Sequence, residues 1–458
     1  MNLLWQARFS VATAFLGSLG TVKLAGGALA IVIANLTGFC LQSGASVGIE
    51  IVCGKAYGAG RREELSLTLQ RGSIILGMLS VLTAVLWLAA PGILLAMGQE
   101  REVAVEAGRF LIMLLPDLAV CAGVNALGAF LRAQSIIRPI AIATGLALGL
   151  QVAATWVLIH VLEAGSAGAA LALFLSDSLI FLSLLFVISR HYKSRWTGIS
   201  SKCWSNLRPL LSLSLASCFA IGLEWWCYEL VTVLAGLLPD KAVSVASMSI
   251  ASSLSFLYYM VPFSLIDTAS IRITNELGAQ RALHAKTSAK VGAFLAALGG
   301  VVGLSLILGL GRVWASLFSD DPSVIRDVEA MVLFVGLAAL GEGSASMASQ
   351  IARSTGWQSV PAVVIPITFY CLGLPLGVCL AFPARQGTKG LWMGVIAAEF
   401  STLAVVGTFD LLGIRWDGSA AAAAAAAAAE KGGASSAIQM EGATEKGQTT
   451  TKEEKIFV

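Results

Sequence analysis

Apolar runs of about twenty residues or more, each closed by a short polar turn, recur along most of the chain. They are Leu24–Cys53, Gly72–Met97, Arg109–Leu131, Pro139–Leu162, Ala167–Ser189, Arg208–Pro239, Val243–Ile273, Ala289–Gly311, Val324–Ala352, Val360–Phe382 and Leu391–Ile414. Each is long enough to cross a hydrocarbon layer ~30 Å thick as a helix. A further apolar stretch in Met1–Gly20, interrupted by Gln6 and Arg8, reads as the second half of a spanning helix. It lacks the charged head and small-residue cleavage site of a secretory signal. The pattern predicts eleven complete helices and a truncated first one: an all-α, multi-pass membrane protein.

Composition agrees. Hydrophobic residues make up 57% and charged residues 12%, about half the charge of a soluble domain. A net charge of +3 with no basic cluster argues against nucleic acid as a partner. The eight cysteines form no CxxC pair and, apart from Cys203, lie in or at the ends of apolar runs; only three histidines are present. No metal site is therefore expected. If the first helix runs outward, the inner turns hold about twice as many Lys and Arg as the outer ones, which places the C-terminus in the cytosol. From Trp416 the chain turns to an alanine run, Ala420–Ala429, followed by Gly, Ser, Thr, Lys and Glu. Such a segment buries too little to order itself, so 416–458 is expected to be a disordered tail.

The run from Arg208 to Pro239 carries acids inside lipid. Glu224 lies sixteen residues from Arg208 and fifteen from Pro239, near mid-depth, and Glu229 follows five residues later. An ionised carboxylate at the bilayer centre costs roughly 2.5–3.5 kcal/mol, so such an acid faces a cavity, binds something or titrates. Glu342 is equally deep, fifteen residues from Asp327 and eleven from Arg353. Desolvation and a like-charged neighbour both favour a carboxyl's protonated form, the property proton coupling needs. Glu224 and Glu342 are the leading proton-coupling acids, facing one another across one bundle, with Glu229 as a second cavity acid or a group at the outer mouth. Asp117 and Asp177 are the mid-span acids of the first half, one of them expected to line its cavity. Trp225, Trp226 and Tyr228 offer either a stacking wall for a flat organic cation or ordinary packing between helices.

A repeat appears at an offset of about 220 residues. Gly58-Ala59-Gly60-Arg61 answers Gly278-Ala279-Gln280-Arg281, and Arg132 with Pro139 answers Arg353 with Pro361. The offset spans six helices, so the two halves share one sense in the membrane, an arrangement of carriers with the site at or within the bundles. The expected domains are a first bundle over 1–189, a cytosolic loop over 190–207, a second bundle over 208–415 and the tail. Glycines at the inner turns permit close helix approach; Arg132, Arg272 and Arg353 sit where headgroups or helix C-termini would satisfy them.

At these residues a family resemblance emerges. Gly48-Ile49-Glu50-Ile51-Val52-Cys53-Gly54-Lys55-Ala56-Tyr57-Gly58-Ala59 resembles the end of the second helix of plant multidrug and toxic compound extrusion (MATE) carriers. Leu223-Glu224-Trp225-Trp226 with Gly236-Leu237-Leu238-Pro239 is similar to their seventh helix, and Arg272-Ile273-Thr274-Asn275-Glu276-Leu277-Gly278-Ala279 to their RVSNELGA signature. Leu131-Arg132-Ala133-Gln134 and Gly356-Trp357-Gln358 resemble two further inner turns. The resemblance covers about Leu16 to Ile414. It implies two pseudo-symmetric six-helix bundles, a monomer in the lipid bilayer, and exchange of a small organic solute for protons, with no cofactor beyond a proton gradient. It places an acid at Glu342 and gives structural or gating roles to Glu50, Gly54, Gly58, Arg132, Arg272, Asn275, Glu276, Gly278, Arg353 and Gly356. Lys55, Thr274 and Asp267 depart from the family pattern, and the first helix is shorter than the family's.

Two other functions fit the same residues: a lipid-linked flippase of the wider superfamily, or a membrane-anchored signalling scaffold acting through the tail and the 190–208 loop. No GxxxxGK[ST] loop suggests ATP-driven transport, and no paired histidines or nucleophile arrangement suggest an enzyme.

Overall fold

A computed structural model describes residues 2–97, 99–191, 198, 200–319 and 321–423. Twelve helical rods account for them: α1 (Asn2–Gly17), α2 (Val22–Gly58), α3 (Arg62–Ala96), α4 (Arg101–Ala133), α5 (Arg138–Val161), α6 (Gly165–His191), α7 (Leu207–Ala235), α8 (Lys241–Gly278), α9 (Ala282–Phe318), α10 (Pro322–Thr355), α11 (Ser359–Ala381) and α12 (Thr388–Leu412). Ten are long and apolar enough to cross a membrane. At 16 residues α1 is shorter than a span. Helix α10 is the most enclosed, with every residue from Ala345 to Thr355 buried. The predicted runs thus become helices one for one, several extended by a turn or two at their polar ends.

Local chemistry sets the breaks. Asp321 accepts from the Ser323 amide at 2.8 Å ahead of Pro322, a side-chain N-cap with proline in the first turn of α10. Gly356, at φ +100°, ends that helix in the left-handed region, and the Trp357 amide returns to the Ala352 carbonyl. Three helices contain a π turn: Asn35–Phe39 in α2, Val157–Val161 in α5 and Ile367–Gly373 in α11. Such turns loosen the ladder and often mark functional positions.

Helices α1–α6 and α7–α12 form the two halves, and the repeat is visible in the backbone. Left-handed turn residues recur at nearly constant offset: Gly60 and Gln280, Ser135 and Gly356, Glu163 and Arg385, Gly165 and Gly387. The halves meet chiefly where α2 packs on α7 and α8, and α7 packs more extensively on α2 than on any helix of its own half. Small residues make this seam possible. A Cβ on Gly44 would stand 2.8 Å from the Cα of Cys218, and one on Gly48 would stand 2.9 Å from the Cα of Ser214. At the end carrying the basic turns the contact is backbone on backbone and reciprocal. Gly58 lies against the carbonyl of Asn275, and Gly278 against the carbonyl of Lys55. Gly58 and Gly278 are equivalent positions of the repeat, as are Lys55 and Asn275, so the two contacts are one contact exchanged across a pseudo-twofold axis. They hold the two halves backbone to backbone at that end of the molecule.

The expectation of disorder from Trp416 is corrected over its first residues. Residues 416–423 are helical, with Ile414 and Ala420 buried beside Leu277, Ala285 and Ile351. The Gln280 side chain donates to the Ala420 carbonyl. Alanine's high helix propensity and small size let the run seat close to the α8–α9 turn. Residues 424–458, and 192–197 of the inter-bundle loop, lie outside the described residues, as do most of the groups the scaffold reading relies on.

Replacing Gly278 with Val inserts side-chain atoms into the Lys55 carbonyl contact, an overpacking that costs about 1–3 kcal/mol. The variant is expected to label faster than wild type at Cys218, buried on the seam, when a water-soluble maleimide is added and each cysteine is read by mass spectrometry. Unchanged labelling would show that the glycine contacts do not hold the seam.

Candidate functional site

In the second half, five helices bring their polar side chains to one place. Glu224 of α7, Glu342 of α10 and Glu399 of α12 are 9%, 8% and 1% exposed, and each acts electrostatically on the others. Ser346, one turn after Glu342, donates to Glu224 Oε1 at 3.3 Å and accepts from the Tyr259 hydroxyl of α8 at 3.2 Å. The Tyr228 hydroxyl donates to Glu399 Oε1 at 2.9 Å. The Tyr370 hydroxyl, carried by the π turn of α11, donates to the Leu223 carbonyl beside Glu224 at 2.9 Å. Among the described residues, Glu342 Oε2 is buried without a hydrogen-bond partner. A cation within electrostatic reach of Glu224 is Arg353, 5% exposed and about three turns along α10 from Glu342.

Glu224 and Glu342 therefore meet, as their depths suggested, and a third acid joins them. Glu399 escaped the sequence reading, although an acid in the middle of the last apolar run was the same signal that marked Glu224. The repeat offered a second clue, because Glu399 stands close to where the second half should answer Asp177. Glu229 is exposed, on another side of α7, as an advance of five residues along a helix requires. The aromatic neighbours serve packing and hydrogen bonding. Trp225 meets Phe256 edge to face at 5.8 Å, and Trp226 Nε1 donates to the Leu36 carbonyl in the π turn of α2 at 3.1 Å. The latter bond ties the acid-bearing helix to the opposite half.

The first half places Asp117 and Asp177 side by side, both essentially unexposed, with a partner the sequence reading passed over. Arg8 of α1 donates from Nη1 to Asp177 Oδ1 at 2.7 Å, its Nη2 lies 2.6 Å from Oδ2, and its guanidinium stacks 4.7 Å from the Trp5 ring centre. The residue that interrupted the first apolar run is thus one end of a buried ion pair. Cys121 Sγ donates to Asp117 Oδ2 at 3.5 Å, and Asp117 Oδ1 has no partner among the described residues. Asp117, Cys121 and Asp177 bring ligand-type atoms within 4.8 Å of one another; the guanidinium already supplies the cation Asp177 requires. Each half thereby ties its first helix to its last, Arg8 to Asp177 and Tyr228 to Glu399, at matching places in the repeat.

The inner-turn residues need one correction. Arg132 and Arg353 do not depend on headgroups or helix ends. Arg132 Nε donates to Glu50 Oε2 at 2.7 Å, and Arg353 Nε to Gln350 Oε1 at 2.9 Å. Both face protein because helix packing encloses these turns. Asp267 of α8 acts electrostatically on Arg132 across the seam. Arg272 is exposed, and Arg281 Nε pairs with Glu276 Oε2 at 2.6 Å. Gly54 faces Thr274, and Asn275 Oδ1 is buried without a partner among the described residues.

A family model described as MatE matches residues 1–157 and 216–379. Arabidopsis thaliana Protein DETOXIFICATION 52 is 35% identical over 406 residues, covering 88% of this chain and 80% of its own. Protein DETOXIFICATION 48 of the same plant is 34% identical over 417 residues, covering 91% and 78%. Among solved structures, the eukaryotic MATE transporter AtDTX14 superposes with a TM-score of 0.87 at 28% identity, covering 92% of this chain and 94% of its own. An outward-facing multidrug resistance MATE family transporter of the MOP superfamily superposes at 0.81 with 15% identity, covering 90% of this chain and 93% of its own, a likeness of fold.

Removing one partner of a buried ion pair leaves an uncompensated charge and costs about 3–5 kcal/mol. Arg8→Met is therefore expected to lower the melting temperature of the purified protein sharply, and adding Asp177→Asn is expected to recover much of the loss. Additive losses in that double-mutant cycle would show that the two side chains do not work as a pair.

Proposed function

The chain belongs to the MatE family of membrane transporters, and from that premise we propose that it is a secondary carrier exchanging protons for an organic solute. The observation that carries this reading is a charge imbalance. Among the described residues the cluster sets three carboxyls, Glu224, Glu342 and Glu399, against one guanidinium, Arg353. Fully ionised, it would hold two net negative charges away from water, where an unpaired charge is very costly. Protons neutralise the excess, and so does a positively charged solute. Two ligands that satisfy one deficit compete, and competition is what an exchanger requires. Coupling then needs only that the two occupants prefer different conformations of the bundles.

Helix α7 links occupancy to conformation. It carries Glu224, its main packing partner is α2 of the other half, and Trp226 bonds the π turn there. We assign the end held together at Gly58 and Gly278 to the cytosol, since the basic turns cluster there; the C-terminus is then cytosolic. Asp117 and Asp177 take a supporting part in this reading. Arg8 neutralises Asp177, which leaves Asp117 as the acid of that half able to load a proton. Glu229 stands at the outer mouth.

The test is uptake of the organic cation ethidium into liposomes holding the purified protein under an imposed pH gradient. Glu224→Gln and Glu342→Gln are each expected to reduce gradient-driven uptake about tenfold or more, equivalent to roughly 1.4 kcal/mol at the limiting step. Unchanged uptake in both variants would remove these acids from the mechanism.

A further inference from the structure

Beyond the three-acid cluster lies a fourth carboxyl whose chemistry that reading does not use. Asp410 stands eleven residues after Glu399 on α12, about three turns and so on nearly the same face, about 16 Å nearer the basic-turn end. Arg353 stands eleven residues after Glu342 on α10, which packs along α12 in the same sense. The two helices therefore present two rungs: Glu342 with Glu399 at mid-depth, and Arg353 with Asp410 towards the basic-turn end.

The second rung is incomplete. Among the described residues, both carboxyl oxygens of Asp410 are buried without a hydrogen-bond partner, and Arg353 Nη1 is buried without one as well. The two side chains act on each other electrostatically, yet no hydrogen bond joins them. A buried carboxyl with both oxygens idle is destabilising. Arg353 is meanwhile held by Gln350 through Nε, and Gln350 donates to Ser270 of α8 at 2.6 Å. The charged and titratable groups facing the guanidinium are Glu224 of α7, Tyr259 of α8 and Asp410 of α12. Helix α11 contributes no charged side chain. His284, Lys286 and Lys290 of α9, and Arg415 and Asp417 beyond α12, are exposed.

We propose that Asp410 is a second station for Arg353: the guanidinium, which hydrogen-bonds neither carboxyl in this structure, turns away from Glu224 once protons fill the glutamate cluster and completes its hydrogen bonds on Asp410. One cation then serves two carboxyl stations, and the proton rests on whichever station the guanidinium has left. The Gln350–Ser270 tether fixes the Nε end of the guanidinium, so its Nη groups are the ones that exchange partners. Asp410 is here a positioning residue, acting through Arg353 rather than on the solute. The inference rests on the reading of Glu224, Glu342 and Glu399 as proton-loading acids.

The experiment is thermal unfolding of the full purified chain in detergent at about pH 5.5 and about pH 8.5. It compares wild type, Asp410→Asn, Asp410→Glu and Glu224→Gln. At the lower pH the cluster is filled, and the hydrogen bonds from Arg353 hold Asp410 ionised as its counter-charge. Asp410→Asn is therefore expected to lower the melting temperature by about 3 °C or more there, which for a chain of 458 residues corresponds to about 3 kcal/mol. At the higher pH the ionised Glu224 competes for Arg353, and Asn is expected to be neutral or stabilising because it removes a charge without hydrogen bonds. Asp410→Glu is expected to restore the wild-type profile. An equal loss at both pH values, as a purely structural aspartate would give, overturns the second station. If Glu224→Gln leaves the pH dependence of wild type unchanged, the cluster does not titrate and the underlying reading falls with it. If Glu224→Gln alters that dependence while Asp410→Asn does not, the second station alone is wrong.

Discussion

A carboxylate taken out of water must find a cation, a proton or a set of donors, and this molecule distributes its few charges accordingly. In the first half Arg8 meets Asp177 with two short contacts, and Cys121 partly satisfies Asp117. In the second half, the position answering Arg8 holds Tyr228, a neutral donor, on Glu399. A duplicated framework has thus kept the tie between first and last helix while exchanging a fixed cation for a hydroxyl. The consequence is an asymmetry of charge: the first half is nearly balanced internally, and the second is left short of positive charge. A hydroxyl can stabilise a carboxylate without cancelling its charge, so the deficit stays available to mobile cations.

Packing carries that chemistry to the rest of the fold. Helix α7 is bound to its own half through Tyr370, Ser346 and Glu399, and to the other half through α2. A change of charge at Glu224 is therefore made at the boundary between the two halves, with no need for a long path through the core. Two of the π turns assist, because they loosen their rods near polar contacts. The turn in α2 supplies the carbonyl for Trp226, and the turn in α11 supplies Tyr370.

Much of this was legible in the sequence. Twelve rods followed from the spacing of apolar runs, and the repeat from two short matches, because lipid imposes length and apolarity on every spanning helix. Glu224 and Glu342 stood out for the same reason: lipid makes a mid-span acid conspicuous. Illegible were the partnerships, which depend on helix rotation and on side chains far apart along the chain. Arg8 read as an interruption until Asp177 appeared beside it, and Arg353 read as an inner-turn cation until burial brought it within electrostatic reach of Glu224. Glu399 and Asp410 were passed over because no sequence motif surrounds them in the last helix, although their polarity inside an apolar run was as clear as Glu224's. The alanine run misled in the other direction. Low complexity suggested disorder, while small side chains and strong helix propensity let its first turns dock beside Gln280.

The reciprocal contact of Gly58 and Gly278 with carbonyls of the opposite half gives that end a particular mechanical character. It is built from main chain, with no ionisable group among the touching atoms, so neither acidity nor ionic strength acts on it directly. Dispersion forces between such surfaces weaken steeply as a gap opens. The grip at this end therefore fades over a very short displacement once the two backbones begin to part.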